Sequence, residues 1–200
     1  MQVSVRSRSW FWSGEEPEWI VVVTVVVALI LGWALMTLVT TQTSGMSLDD
    51  LSLRYPADWM RDDKMAVEEG YSLYALGLSA SQPRLAVGVL VELDPAAPVS
   101  LDELVAQRGF SQAAIKEMYR VLSSEQAKVG GKAGVAITYG YVKDSNNSPH
   151  LSSLPVVIEG VDYLVPHKGK VYMISLEVAA EDLQAQQKIF GRTLKSVRFR

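Results

Sequence analysis

From Trp19 to Val39 the chain reads WIVVVTVVVALILGWALMTLV, a run without a single charge. At about 1.5 Å rise per residue such a run makes a helix of about 31 Å, the thickness of a bilayer hydrocarbon core of roughly 30 Å. A buried helix of a soluble protein is rarely this long and apolar all round, so the pattern predicts a transmembrane helix over 19–41. Cleaved signal peptides carry shorter apolar runs ending in a small-residue pattern, and Met36 to Gly45 has none; the helix is read as a retained anchor.

A short polar stretch, 42–50, reads as a linker, and the pattern of a globular sequence follows over 51–200. Leu51 to Trp59 predicts a short strand turning at Tyr55-Pro56. Leu85, Val87, Val89, Val91 and Leu93 alternate along a second strand, and Val135, Ile137, Tyr139 and Tyr141 along a third. Pro155 to Val165 and Val171 to Val178 flank Pro166-His167-Lys168-Gly169, a hairpin signal. Ser100-Leu101-Asp102-Glu103 is a capping box opening a short helix through Val105. Ser111 begins a second predicted helix, with Ile115, Met118, Tyr119 and Leu122 as its apolar stripe. A last helix runs from near Glu181 and Asp182 to near Arg192 and Lys195, its charges complementing the helix dipole and Leu183, Phe190 and Leu194 facing inward. Ser196 to Phe199 predicts a strand that closes the sheet. The expected class is α+β: one transmembrane helix, then a mostly antiparallel sheet packed with helices.

Charge and composition narrow the functions. The formal net charge of −3 argues against a nucleic-acid partner, which normally meets a basic face. The chain has no cysteine, which excludes disulfides, iron–sulfur clusters, covalently attached c-type haem and a cysteine nucleophile. Arg6 and Arg8 precede the apolar run, whereas the first basic residue after it is Arg54; this bias predicts a cytoplasmic segment 1–18 and an extracytoplasmic domain, periplasmic or lumenal. Trp10, Phe11 and Trp12, with Trp19, predict an interfacial aromatic belt or a partner groove. Thr24, Gly32 and Ala34 are small enough to admit a neighbouring helix, although no GxxxG occurs.

No catalytic constellation is legible. His150 lies in the turn-rich KDSNNSPH and His167 in a hairpin turn, both positions where a solvated side chain is expected. Asp144 with His150, or Asp162 with His167, makes a poor metal site for want of further ligands, and no cofactor or metal is predicted. Val129-Gly130-Gly131-Lys132 lacks the leading glycine and trailing hydroxyl of a phosphate loop and reads as a turn. Asp49-Asp50, Asp62-Asp63 and Glu68-Glu69 are adjacent carboxylates pointing apart, hence surface. Asn146-Asn147-Ser148 matches a glycosylation sequon, which has meaning only in a eukaryotic secretory pathway. Tyr139, Tyr141, Tyr163 and Tyr172 either line a pocket for a small apolar or lipid-like ligand or pack in the core with hydroxyls at its edge.

LSLRYPADW (Leu51 to Trp59) resembles the strand followed by Tyr-Pro-x-x-Trp that opens PsbP-like proteins, and LKSVRF (Leu194 to Phe199) resembles their last helix running into the final strand. The resemblance covers roughly 51–200 and implies an antiparallel sheet sandwiched by helices. It also implies an accessory protein rather than an enzyme. The partners it implies are other subunits of an integral membrane complex, of an electron-transport or photosynthetic kind. The namesake lacks the N-terminal helix, which adds the lipid bilayer as a partner here.

Overall fold

In a computed structural model, residues 18–40, 42–79, 82–94, 100–143 and 155–200 are described. The chain divides into a unit ending at Thr41 and a unit from Gln42 to Arg200. The first holds helix α1, Glu18–Thr40, whose Trp19–Leu38 stretch is long and apolar enough to cross a membrane and has no buried residue. Trp10, Phe11 and Trp12 lie outside the described residues, as do Asp144, the Asn146 sequon and His150.

The second unit is α+β. Strands β1 (Thr43–Leu48) and β2 (Leu51–Pro56) lead to β3 (Met60–Arg61), α2 (Asp63–Glu68), β4 (Leu73–Leu76) and β5 (Arg84–Glu92). Helix α3 (Leu101–Ala113) precedes the long strands β6 (Glu117–Val129), β7 (Lys132–Lys143), β8 (Val156–His167) and β9 (Lys170–Ala179). A 3-10 turn, α4 (Leu183–Ser196) and β10 (Arg198–Phe199) complete it. Strands β3 to β9 form one seven-stranded sheet in the order β3-β4-β5-β9-β8-β7-β6, every neighbour antiparallel. A second sheet of β1-β2-β10 stands apart from it.

The alternation along β7, β8 and β9 makes two different faces. One face presents Tyr172, Ile174, Leu176 and Val178 of β9 to Phe190, Leu183 and Leu194 of α4 and to Leu51, Leu53, Tyr55 and Trp59 near β2; this is the main core. Burying side chains of this size stabilises by about 1.5–3 kcal/mol each, so this layer carries most of the fold. The other face has an apolar cluster at one end, where Ile137, Leu164, Val171 and Met173 meet Leu104 of α3, and a second one of Tyr139, Tyr141, Ile158 and Ala179.

Four expectations are corrected. The segment read as a linker contains β1, whose register pairs Gly45 with Arg54 and Ser47 with Ser52. The closing strand β10 joins β2 in the small sheet instead of the large one. The short helix ending at Val105 continues to Ala113, because Leu104, Arg108 and Gln112 fall at a helical spacing on one buried face. The helix expected from Ser111 does not form: beyond Ala113 the chain turns into β6, and Ile115, Met118 and Leu122, read as part of a helical apolar stripe, are exposed. Met118 takes a positive φ of 52° beside a register shift in the β6–β7 pairing, a kink that no helix tolerates.

Candidate functional site

Two cross-strand rows on the α3 face carry charge where a sheet normally buries hydrocarbon. The first runs Tyr139–Gly160–Glu177–Arg84 across β7, β8, β9 and β5. The second runs Ile137–Asp162–Ser175–Ala86–Tyr74 and reaches β4. Gly160 is required by its neighbour: a Cβ there would lie 2.5 Å from Cζ of Tyr139, so the phenol ring lies over the bare backbone of β8. That position lets the Tyr139 hydroxyl reach three side chains of the next two strands.

Asp162 is fully buried, and Glu177 is 9% exposed. Arg108 descends from α3 and donates from Nε to Asp162 Oδ2 at 2.8 Å, with its Nη2 donating to the Tyr71 hydroxyl at 3.4 Å. The Tyr139 hydroxyl lies 2.8 Å from Glu177 Oε1 and 3.1 Å from both Asp162 Oδ1 and Ser175 Oγ. A phenol has one proton, so the shortest contact assigns it to Glu177. Tyr141 donates to Glu177 Oε2 at 2.9 Å, and Lys116 Nζ stands 2.5 Å from Oε1. The same ammonium lies 4.3 Å from the centre of the Tyr141 ring and 4.9 Å from that of Tyr139, a cation–π arrangement.

The electrostatics follow from burial and these partners. Burial pushes the Glu177 carboxyl up, but the Lys116 charge and the hydrogen bonds from Lys116 and Tyr139 outweigh it, and the group titrates below its ordinary value. Burial, then the negative charges of Asp162 and Glu177, raise the Tyr139 hydroxyl well above the ordinary phenol range. Burial and Glu177 do the same to Tyr141, and burial pushes Tyr74 up to about 12. These phenols therefore remain hydrogen-bond donors at neutral pH and cannot act as bases. The arrangement holds the Glu177 carboxylate among donors and cations.

The network opens to solvent through a cleft of about 460 Å³ between the end of α2, the end of α3 and the end of β7. Tyr71, Tyr74, Tyr141, Ala86 and Ile115 supply its apolar walls, with Arg84, Lys116, Lys143, Glu68, Glu69 and Glu177 around them. Among the described residues no group of three or more metal-type ligands comes together.

Of the four tyrosines proposed as a pocket, only Tyr139 and Tyr141 meet here. Tyr163 and Tyr172 belong to the opposite face, Tyr172 fully buried with its ring centre 5.7 Å from that of Phe199, because they fall at the other parity of β8 and β9. Asp162 and His167 part for the same reason; His167 Nε2 instead lies 2.9 Å from the Arg200 carbonyl oxygen. In α1 the Thr24 hydroxyl donates to the Ile20 carbonyl within its own helix at 2.8 Å, Trp19 is exposed, Ala34 is half-buried, and a Cβ at Gly32 would meet nothing. Sequence reading missed Arg84, Arg108, Lys116 and Glu177, and weighed Asp162 only as a partner of His167. The signal that could have found both acids is a lone acid inside an apolar strand, Val161-Asp162-Tyr163 and Leu176-Glu177-Val178.

No family model matches this sequence, and no curated protein matches it. Among solved structures the chain is similar to cyanobacterial PsbP (CyanoP) from Synechocystis sp. PCC 6803, at 14% identity and a TM-score of 0.57, over 79% of this chain and 92% of that one. LpqN of Mycobacterium tuberculosis, involved in cell envelope biogenesis, aligns at 13% identity and a TM-score of 0.47, over 78% and 90% of the two chains. The Saccharomyces cerevisiae Ran-binding protein Mog1p aligns at 9% identity and a TM-score of 0.47, over 79% and 95%. The likeness to CyanoP shows the PsbP-like fold; identities this low speak to fold alone.

Proposed function

We propose that this chain is a non-catalytic accessory subunit, anchored by α1, that docks on a partner protein of a membrane assembly. One observation carries the reading: at the corner where α3 meets β6, Phe110 is 82% exposed and Ile115 and Met118 are each 74% exposed. Val121 and Leu122 extend this apolar patch along β6. Strand β6 is an edge of the large sheet, and among the described residues its outer side pairs with no strand. A free edge offers unpaired N–H and C=O groups to an extended segment, and apolar side chains beside it supply anchoring area. The partner this fits is a polypeptide that adds a strand to β6 and sets apolar side chains against the Phe110–Met118 corner. The PsbP-like resemblance of the sequence supplies the class of assembly, electron-transport or photosynthetic. The Lys and Arg bias about α1 supports an extracytoplasmic domain.

The test is purification of the tagged full-length chain in mild detergent, beside Phe110→Glu and Met118→Glu variants. A partner recovered at constant ratio with the parent chain, and lost from both variants at unchanged thermal stability, supports the reading. A lone monomer, self-association only, or a partner retained by both variants overturns it.

A further inference from the structure

We infer that the cleft between α2, α3 and the end of β7 is a binding site for a monoanionic organic carboxylate. The charge accounting points there. Glu177 Oε1 is taken up by Lys116 at 2.5 Å and Tyr139 at 2.8 Å, and Oε2 by Tyr141 at 2.9 Å. Arg84 Nη1 stands 3.7 Å from Oε2, an ion pair beyond hydrogen-bond length. The Arg84 side chain is only 16% exposed, yet among the described residues its guanidinium donates no hydrogen bond. A guanidinium is a planar fork of five donors whose natural complement is a bidentate oxyanion, and that of Arg84 lines the cleft with this donor fork open to it.

Lys143 is a second cation of the cleft. It is half-buried, lines the same cleft, and has no ion-pair partner among the described residues. Burial, then the neighbouring positive charge of Arg84, weakens its hold on its proton, a condition that an incoming anion relieves.

The choice of carboxylate over phosphate rests on the balance of the site. Arg84, Arg108, Lys116 and Lys143 face Asp162, Glu177, Glu68 and Glu69, so the formal charges cancel before any ligand arrives. A single negative charge is the most such a balanced site accepts readily, and a dianion would meet Glu68 and Glu69 at the rim. Burial, then the charge of Glu177, raises the Glu69 carboxyl, so it gives up its charge more easily than an ordinary glutamate. Tyr74, Tyr141, Ala86 and Ile115 provide the apolar and aromatic wall for the body of the acid. A cleft of about 460 Å³ falls in the range of small-molecule sites. The cleft shares Ile115 with the corner beside β6, but its test does not involve the partner.

Full-length chain in nanodiscs of zwitterionic lipid is titrated calorimetrically with phenylacetate, with its neutral analogue phenylacetamide, and with phenyl phosphate. Saturable binding of phenylacetate with a Kd of about 1 mM or tighter is expected, with the amide and the phosphate at least about tenfold weaker. Arg84→Gln and Lys143→Gln each weaken phenylacetate binding by about tenfold, while Glu69→Gln tightens it. Circular dichroism and thermal melting establish that each variant is folded; Lys143 and Glu69, at the rim, keep the test open if Arg84→Gln unfolds. A short peptide ending in phenylalanine, compared with its C-terminal amide, identifies the source. Tighter binding of the free-acid peptide than of phenylacetate assigns the carboxylate to a polypeptide end, and the reverse assigns it to a free acid; both sustain the site. No saturable binding of phenylacetate, equal binding of the amide, or folded variants with unchanged affinity overturns it.

Discussion

Glu177 shows how much a single residue can reveal. It interrupts Val171–Val178, a strand otherwise rich in apolar side chains, and on its face stand Ser175 and Asp162 where hydrocarbon would be expected. The alternation of β7 could be read from sequence, and it correctly put Tyr139 and Tyr141 together. The assignment of Tyr163 and Tyr172 to the same pocket failed because parity across strands depends on register, which no single strand encodes. Glu177 also makes stability depend on pH. Its carboxyl titrates below its ordinary value of 4.5 in the folded chain, so its ion pairs contribute fully above that value and are lost as pH falls through the depressed folded value. Replacing Glu177 by Gln leaves Lys116 and Arg84 buried without a counter-charge, with an expected loss of about 3 kcal/mol at neutral pH. In urea titrations of the full chain, the gap between parent and Glu177→Gln should hold from neutral pH to about 4.5 and narrow below it. A gap that widens on acidification would contradict the assignment of charge to this carboxyl.

At the level of elements, the strands with strict alternation and the capped helices were legible. The Ser100 hydroxyl accepts from Glu103 N at 3.1 Å as the capping box requires, and Gly169 sits at φ 74° in the β8–β9 turn. Strand β6 was not legible. Ile115, Met118, Tyr119 and Leu122 have helical spacing, but an exposed edge strand owes no apolar period to a core, so the period there carried no structural meaning. The glycines of β7 and α4 test the packing of these elements with opposite signs. A Cβ at Gly134 collides with the Leu164 carbonyl oxygen, which belongs to the β8 backbone and cannot move without breaking the β7–β8 ladder. A Cβ at Gly191, inside α4, meets nothing. Gly134→Ala should therefore destabilise by at least about 2 kcal/mol, whereas Gly191→Ala should stabilise by about 0.5–1 kcal/mol through helix propensity. Denaturant midpoints of the two variants check this; equal shifts would show that neither position is set by the packing described.

The two units of the chain place different demands on their sequences, and that difference decides what could be read. For the globular unit, register and side-chain networks shape the candidate site, and composition says little about either. For α1, length and composition are nearly the whole case, and they permit a quantitative test of anchoring. Trp19 to Leu38 contains two Ile, six Val and four Leu. At roughly −0.3 to −0.6 kcal/mol each, these twelve side chains favour insertion by about 4 to 7 kcal/mol. One arginine near the centre costs about 2.5 to 3.5 kcal/mol and removes one apolar contribution, so Ile30→Arg alone should leave the helix inserted. Val27→Arg added to Ile30→Arg doubles the cost and brings the balance to about zero or beyond. Alkaline carbonate washing of membranes should thus retain the parent and the single variant and release much of the double variant. Release of the parent chain itself would show that α1 is not an anchor. Retention of the double variant in full would show that contacts other than those of α1 with lipid hold the chain at the membrane.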